Sequence, residues 1–247
     1  MLTEDELLRY SRQIMLPQVD IAGQEKLREA TVLVVGVGGL GSPVAMYLAA
    51  AGVGKLVLVD QDQVDLSNLQ RQIIHTTERI GVDKVESARA TLDQLNSACE
   101  VETIAAQFCA ENGDALVASC QVIVDCSDNF AVRFLLNRLS VQYQVPLVSG
   151  AAIRMEGQIS VYDPGLSSSP CYHCLYQETG EEDQRCTTNG VLAPVVGVVG
   201  SIQATEAIKL IAGIGDTLVG RLLLVDFLTV EFRSIRLKKD AACPVCS

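Results

Sequence analysis

The chain has no surplus of positive charge. Its 19 lysines and arginines stand against 30 aspartates and glutamates, a formal net charge of −11. Binding nucleic acid through its phosphates needs a basic face, so that class of partner is excluded. Any nucleotide site must be assembled from a few local cations. An apolar leader is also missing: the first residues, MLTEDELLRYSRQI, are polar, acidic and amphipathic, unlike a secretory signal. Without one, the nine cysteines are expected in a reducing compartment, the cytoplasm, as free, catalytic or metal-bound thiols. No long hydrophobic run is uninterrupted. The most apolar window, 191–213, contains Gln203, Glu206 and Lys209, with Pro194, Gly197 and Gly200 in its first half. It reads as a buried helix and not as a membrane span. There is no internal repeat and no low-complexity tract.

What is there suits one large core. The 247 residues are 49% hydrophobic, and a single domain over 1–247 is expected. Thr3 and Glu6 form a capping-box pattern that opens a helix over 3–15. A short, wholly apolar run at 30–36 has the pattern of a parallel strand buried on both faces, and 55–60, 101–108, 120–128 and 146–152 read as further strands. Helical patterns at 42–52, 84–96 and 129–144 alternate with them, and Gly52 marks the end of the first. Beyond 154 the pattern changes: 156–163, 220–230 and 232–239 read as antiparallel strands flanking a polar loop and the apolar helix. The expected fold is α/β: a Rossmann-like parallel nucleotide-binding half over 1–153, continued by a mixed antiparallel half over 154–247.

Between the first strand and its helix lies Gly36-Val37-Gly38-Gly39-Leu40-Gly41, a G-x-G-x-x-G turn. Such a turn lets backbone N–H groups and a helix N-terminus approach phosphate oxygens without interference from Cβ atoms. Asp60, at the tip of the second strand, is placed to bind a ribose. Both features serve NAD and ATP equally. The next segment, QDQVDLSNLQRQIIH followed by Lys84, adds Asn68, Arg71 and Lys84. Three adjacent phosphates demand several cations and hydrogen-bond donors, whereas a dinucleotide has no need of them; as residue types alone they could equally be solvated surface charge. An NAD-dependent oxidoreductase would also need an acid or base at its hydride site. The only histidines are His75 and His173, and His75 reads as a local hydrogen-bonding residue.

Taken together, GVGGLGSP, the D-x-D-x-V-x-x-S-N-L-Q-R-Q segment, the downstream lysine and CSDN after an apolar strand resemble the MoeB/ThiF/HesA family, bacterial relatives of ubiquitin-activating enzymes. The resemblance runs from RYSRQI to CPVC. It implies a nucleotidyltransferase that uses MgATP to adenylate the C-terminal glycine of a small ubiquitin-like protein. It implies that Gly39 lies beside the phosphates and Asp60 on the ribose. Ser67, Asn68, Leu69, Gln70 and Arg71 would form the triphosphate-contacting segment, with Asn68 and Arg71 making the contacts and Lys84 acting as the phosphate lysine. Asp128, within Ser127-Asp128-Asn129, would hold Mg²⁺; the family more often has threonine where Ser127 stands, and the hydroxyl survives. Arg12 is similar to the arginine that family homodimers lend to the neighbouring subunit's site. Read without the resemblance, it is a helix-surface arginine.

Two C-x-x-C knuckles, Cys171/Cys174 and Cys243/Cys246, supply four thiolates, the ligand set of a closed tetrahedral zinc site. Neither follows a thioredoxin-like strand, which weighs against a redox role. A structural Zn²⁺ would tie the C-terminal tail to the polar loop. Cys186, alone in QRCTTNG, matches the family's loop cysteine, which in thiamine-pathway members bonds to the carrier; the resemblance leaves a covalent role and a merely exposed thiol open. Cys99, Cys109, Cys120 and Cys126 lie on or beside apolar segments and read as inert. VSGAAIRMEGQ and GVLAP are more similar to the branch that activates molybdopterin synthase, whose carrier is MoaD-like and which serves molybdenum cofactor biosynthesis. PVVGVVG, the C-T-T loop and EAIKLIAGI are shared with the thiamine branch, whose carrier is ThiS-like. The balance favours the former. The sequence stops one residue after CPVC with no appended rhodanese domain, so a separate sulfur donor protein is expected. A non-catalytic partner that kept the fold is the rival reading, and intact Asn68, Arg71, Lys84 and Asp128 oppose it.

Overall fold

A computed structural model describes residues 1–178 and 190–247. Its centre is one eight-stranded sheet in the order β3-β2-β1-β4-β5-β6-β7-β8. The strands β1 (Thr31–Val35), β2 (Lys55–Val59), β3 (Glu100–Ile104), β4 (Val122–Asp125) and β5 (Leu147–Ile153) run parallel. β6 (Glu156–Tyr162), β7 (Arg221–Asp226) and β8 (Glu231–Arg236) continue the same sheet antiparallel. The parallel half followed by an antiparallel half is the expected architecture.

The all-apolar runs are strands because both faces are covered. On one side, α3 (Asp20–Glu29), α4 (Gly41–Ala50), α5 (Lys84–Leu95) and α9 (Ala193–Ala212) close a core around Val32, Val34, Leu48, Leu56 and Leu58. On the other, α6 (Ala110–Ala118), α7 (Phe130–Tyr143) and the short α8 (Tyr172–Leu175) pack around Leu33, Val57, Ile123 and Phe134. The register decides where the loops emerge. Val35 pairs with Val59 on one side and Asp125 on the other, so β1, β2 and β4 end level and their following residues share one edge. The chain order reverses between β1 and β4, which is the switch point where open α/β sheets bind ligands.

Two local outcomes differ from the sequence reading, and a third agrees with it. The helix expected over 3–15 is two, α1 (Glu4–Arg9) and α2 (Ser11–Ile14), meeting at Tyr10. That ring is buried, and its hydroxyl accepts from Asn96 Nδ2 at 2.9 Å; a tertiary anchor breaks the local periodicity. The capping box is as expected, Thr3 N donating to Glu6 Oε2 at 2.7 Å. Helices α3 and α6 had no sequence signal because each buries one large apolar residue, Leu27 or Val117, with Gly23 and Gln24 beside it in one and Gly113 in the other. A Cβ at Gly113 would lie 2.6 Å from Leu139 Cδ1, so close helix contact replaces an apolar stripe. Helix α9 is long and apolar enough to cross a membrane by length and composition. Its buried Gln203 and Glu206 are nonetheless bonded inside the fold, to Asp125 O at 2.7 Å and to Leu218 N at 2.7 Å.

Candidate functional site

At the switch point lies a cavity of about 810 Å³, lined by Gly38, Gly39, Asp60, Arg71, Lys84, Ser127, Asp128 and Asn129 among others. The glycine turn forms its floor. Gly36 sits at φ +90°, and a Cβ there would meet Cys126 O at 2.6 Å; only glycine fits such a crossing. Asp60 clamps the turn: Oδ2 accepts from Val37 N at 2.7 Å, and Oδ1 accepts from Asp62 N at 2.9 Å. Burial pushes its carboxyl above the usual aspartate range, opposed by Lys84 and by those two amides.

The segment between β2 and α5 is folded onto itself. Lys84 is the first residue of α5 and is buried, and its Nζ donates to Asp62 Oδ2 at 2.8 Å. Arg71 lines the cavity and donates through Nη1 to Ser67 O at 3.2 Å. Ser67, Asn68, Leu69 and Gln70 lie at or beside the 3₁₀ turn Leu66–Asn68 and are not part of the lining. Ser67 Oγ is engaged by Asp65 at 2.6 Å, and Asn68 Oδ1 accepts from Gln72 Nε2 at 2.7 Å. Gln72 is buried, faces the cavity, and was not singled out from sequence. Arg12, exposed on α2, is not in the lining either.

The loop after β4 rests on residues that belong to none of the sequence motifs. Asp125 is fully buried; Oδ1 accepts from Ser127 N at 3.0 Å and Ser127 Oγ at 2.6 Å, and Oδ2 accepts from Ser149 Oγ at 3.1 Å. Arg133, one turn into α7, has Nε 3.9 Å from Asp125 Oδ2 and donates through Nη2 to Ser127 O at 2.8 Å. Asn129 caps α7, accepting from Val132 N at 3.0 Å. Asp128 is thereby presented, exposed, at the cavity rim. A charged residue ending an apolar strand, and a glutamine inside an apolar helix, were the signals available for Asp125 and Gln203.

Cys171, Cys174, Cys243 and Cys246 bring their sulfurs within 4.8 Å of one another. The pairs Cys171–Cys243, Cys174–Cys246 and Cys171–Cys174 are 3.7, 3.5 and 4.0 Å apart. Metal–sulfur bonds of about 2.3 Å put tetrahedral sulfurs about 3.8 Å apart, so the cluster can hold an ion of that size. Two outer groups orient it: Asn137 Nδ2 donates to Cys171 Sγ at 3.5 Å and Asp240 N to Cys174 Sγ at 3.4 Å. Elsewhere, burial pushes the Cys99 and Cys120 thiols up to about 12, which suits inert residues. Cys186 lies outside the described residues.

The model of the ThiF family matches residues 10–245. The adenylyltransferase and sulfurtransferase MOCS3 of Drosophila grimshawi is 48% identical over 249 residues, covering 100% of this chain and 55% of that protein. The Anopheles gambiae protein of the same name is 47% identical over 249 residues, covering 100% and 56%. The chain thus spans about half the length of the curated relatives it matches. Among solved structures, E. coli MccB with MccA-N7isoAsn is similar at 25% identity and a TM-score of 0.85, over 97% of this chain and 74% of that one. With a family match over nearly all of its length, the chain belongs to the ThiF family.

Proposed function

We propose that the protein is an adenylyltransferase that joins AMP from ATP to the C-terminal glycine of a small ubiquitin-like sulfur carrier of the MoaD type, releasing pyrophosphate, for molybdenum cofactor biosynthesis. One observation carries the reading. In a chain nearly half identical to proteins named adenylyltransferase, one cavity gathers the glycine turn, Asp60, Arg71, Lys84 and Asp128.

The chemistry follows from charge. The carrier's terminal carboxylate is ionised at neutral pH and needs no general base. It attacks the α-phosphorus while the bond to pyrophosphate breaks, so two anions approach and charge gathers on the departing phosphates. Arg71, Lys84 and the N-terminus of α4 are placed to offset it. Asp128 would hold Mg²⁺, which supplies further neutralisation when bound. The four thiolates would hold Zn²⁺ as a structural tie with no part in the reaction. A homodimer would bring Arg12 of one copy to the other's site, which suits its place outside its own cavity. Sulfur delivery belongs to a donor outside this fold. For the carrier's body, the β7–β8 hairpin offers exposed Leu228, Val230 and Phe232 beside the cavity residues Asp226, Glu231 and Arg233, an apolar patch of the kind that marks a protein contact.

The test is carrier-dependent exchange of pyrophosphate into ATP, with purified MoaD-like and ThiS-like carriers offered separately. Arg71→Ala is expected to lower the rate by about 100-fold or more, the scale of losing one charge-stabilising group, with the melting temperature unchanged. Exchange at the wild-type rate would remove the assignment.

A further inference from the structure

The glycine turn carries almost no side chains with which to fix its own peptide planes, so something else must aim its N–H groups. Each of three successive peptides is tied from outside. Asp60 holds Val37 N at 2.7 Å. Ser42, on the first turn of α4, holds Gly38 O through its N at 2.9 Å and its Oγ at 2.6 Å. The peptide between them, Val37–Gly38, is held by His75, whose Nε2 lies 3.0 Å from Val37 O. A carbonyl only accepts, so Nε2 carries the proton and Nδ1, 2.9 Å from Ser87 Oγ, accepts from that hydroxyl. The ring is buried. In a trans peptide the C=O and the following N–H point in opposite directions, and the described chain has no cis peptide. Holding Val37 O toward His75 therefore turns the Gly38 N–H the other way, and Gly38 lines the cavity.

We propose that His75 is a positioning residue for phosphate binding: it fixes the Val37–Gly38 peptide so that the Gly38 N–H faces the nucleotide's phosphates. Ser87 completes the tie from α5, the helix whose first residue is Lys84, so the turn and the phosphate lysine are set against each other by one imidazole. The gain is preorganisation, since a donor already aimed needs no rearrangement when the anion arrives. This inference rests on the reading of the cavity as an ATP site.

The test compares binding of ATP and of adenosine, which has no phosphate, by calorimetry on the full chain. His75→Asn places an amide where Nδ1 was, keeping Ser87 and losing Val37. It is expected to weaken ATP binding about tenfold, the weight of one hydrogen bond to a charged ligand, with adenosine affinity unchanged. His75→Gln reaches the Nε2 position and is expected to restore most of the ATP affinity. Should the asparagine variant fail to fold, Ser87→Ala leaves His75 in place but releases its ring, and is expected to weaken ATP selectively by a smaller factor. Wild-type ATP affinity in both His75→Asn and Ser87→Ala, or equal losses for ATP and adenosine, would overturn the role of His75. A wild-type protein that binds adenosine and ATP alike, or neither, would overturn the nucleotide reading itself.

Discussion

Two aspartates three residues apart, Asp125 and Asp128, should respond to the same substitution in opposite ways. Asp125 is fully buried and collects three hydrogen bonds from Ser127 and Ser149, with Arg133 Nε at 3.9 Å. Asp125→Asn keeps the shape but removes the charge facing that guanidinium and turns one acceptor into a donor. Breaking a buried pair by removing one partner costs about 3–5 kcal/mol. Arg133 retains its bond to Ser127 O at 2.8 Å and its place 5.7 Å from the Phe130 ring, so the low end, about 3 kcal/mol, is expected. At about 2–4 °C per kcal/mol for a chain of this size, melting should drop by about 6–12 °C. Asp128 is exposed, and Asp128→Asn should change stability by no more than about 0.5 kcal/mol while abolishing pyrophosphate exchange. Far-ultraviolet circular dichroism is the assay, because the chain has no tryptophan. A melting point for Asp125→Asn within about 2 °C of wild type, or an equal fall for Asp128→Asn, would refute this division of labour.

Protein purified without chelator should contain about one zinc per chain, and Cys243→Ser with Cys246→Ser should lose it and melt lower; metal analysis and a thermal melt decide. The His75 ring is held below the ordinary histidine range, chiefly by burial, with Lys84 and Arg79 adding to it. The native state then binds fewer protons than the unfolded chain below about pH 6.5, so this contribution is complete above that pH and is lost as pH falls, at up to about 1.4 kcal/mol per unit. Urea titrations at stepped pH should show that limb in the wild type and lack it in His75→Asn. Gly36→Ala forces a side chain to φ +90° against Cys126 O, a strain of about 1–3 kcal/mol, and should lower the urea midpoint. Phe232→Asp should raise the KM for the carrier and leave that for ATP unchanged; equal KM values for the carrier would remove the β7–β8 hairpin from the contact.

The central strands β1 and β2 were legible because they are covered on both faces, so Val32 to Val35 and Leu56 to Val59 had to be apolar without alternation. The glycine turn, Asp60, Arg71, Lys84 and Asp128, which line one cavity, stand out in the sequence because each is a fixed chemical type at a fixed spacing within a motif. The four cysteines were legible as two pairs, and 72 residues separate the partners that meet, Cys171 with Cys243. Illegible were the groups that act through others. Arg133, Asn137 and Gln203 sit inside helical patterns where polar residues usually mean a solvated face, and all three are buried. His75 reads from sequence as a local hydrogen-bonding residue, and only the fold shows its partners, Val37 O and Ser87 Oγ. Helices α3 and α6 stayed hidden because a buried glycine leaves no mark on hydrophobic periodicity.

The charge balance explains how an acidic protein keeps a cationic site. Burying a charge is costly unless it is paired and hydrogen-bonded, and Lys84 is buried. Asp62, more than half exposed, supplies the counter-charge at 2.8 Å. Its partner in the network, Asp60, is held in place by Val37 N and Asp62 N, so the fixed acid and the movable one stand two residues apart in a single turn. An exposed side chain costs little to swing away. At the proposed ATP site, an arriving phosphate would therefore replace Asp62 on Lys84 while Asp60 keeps the glycine turn in shape. The acid that pairs the buried cation is thus also the group most easily displaced. The net charge of −11 then does not oppose nucleotide binding at close range, because the charges that matter there are paired locally and screened from the rest beyond about 8–10 Å.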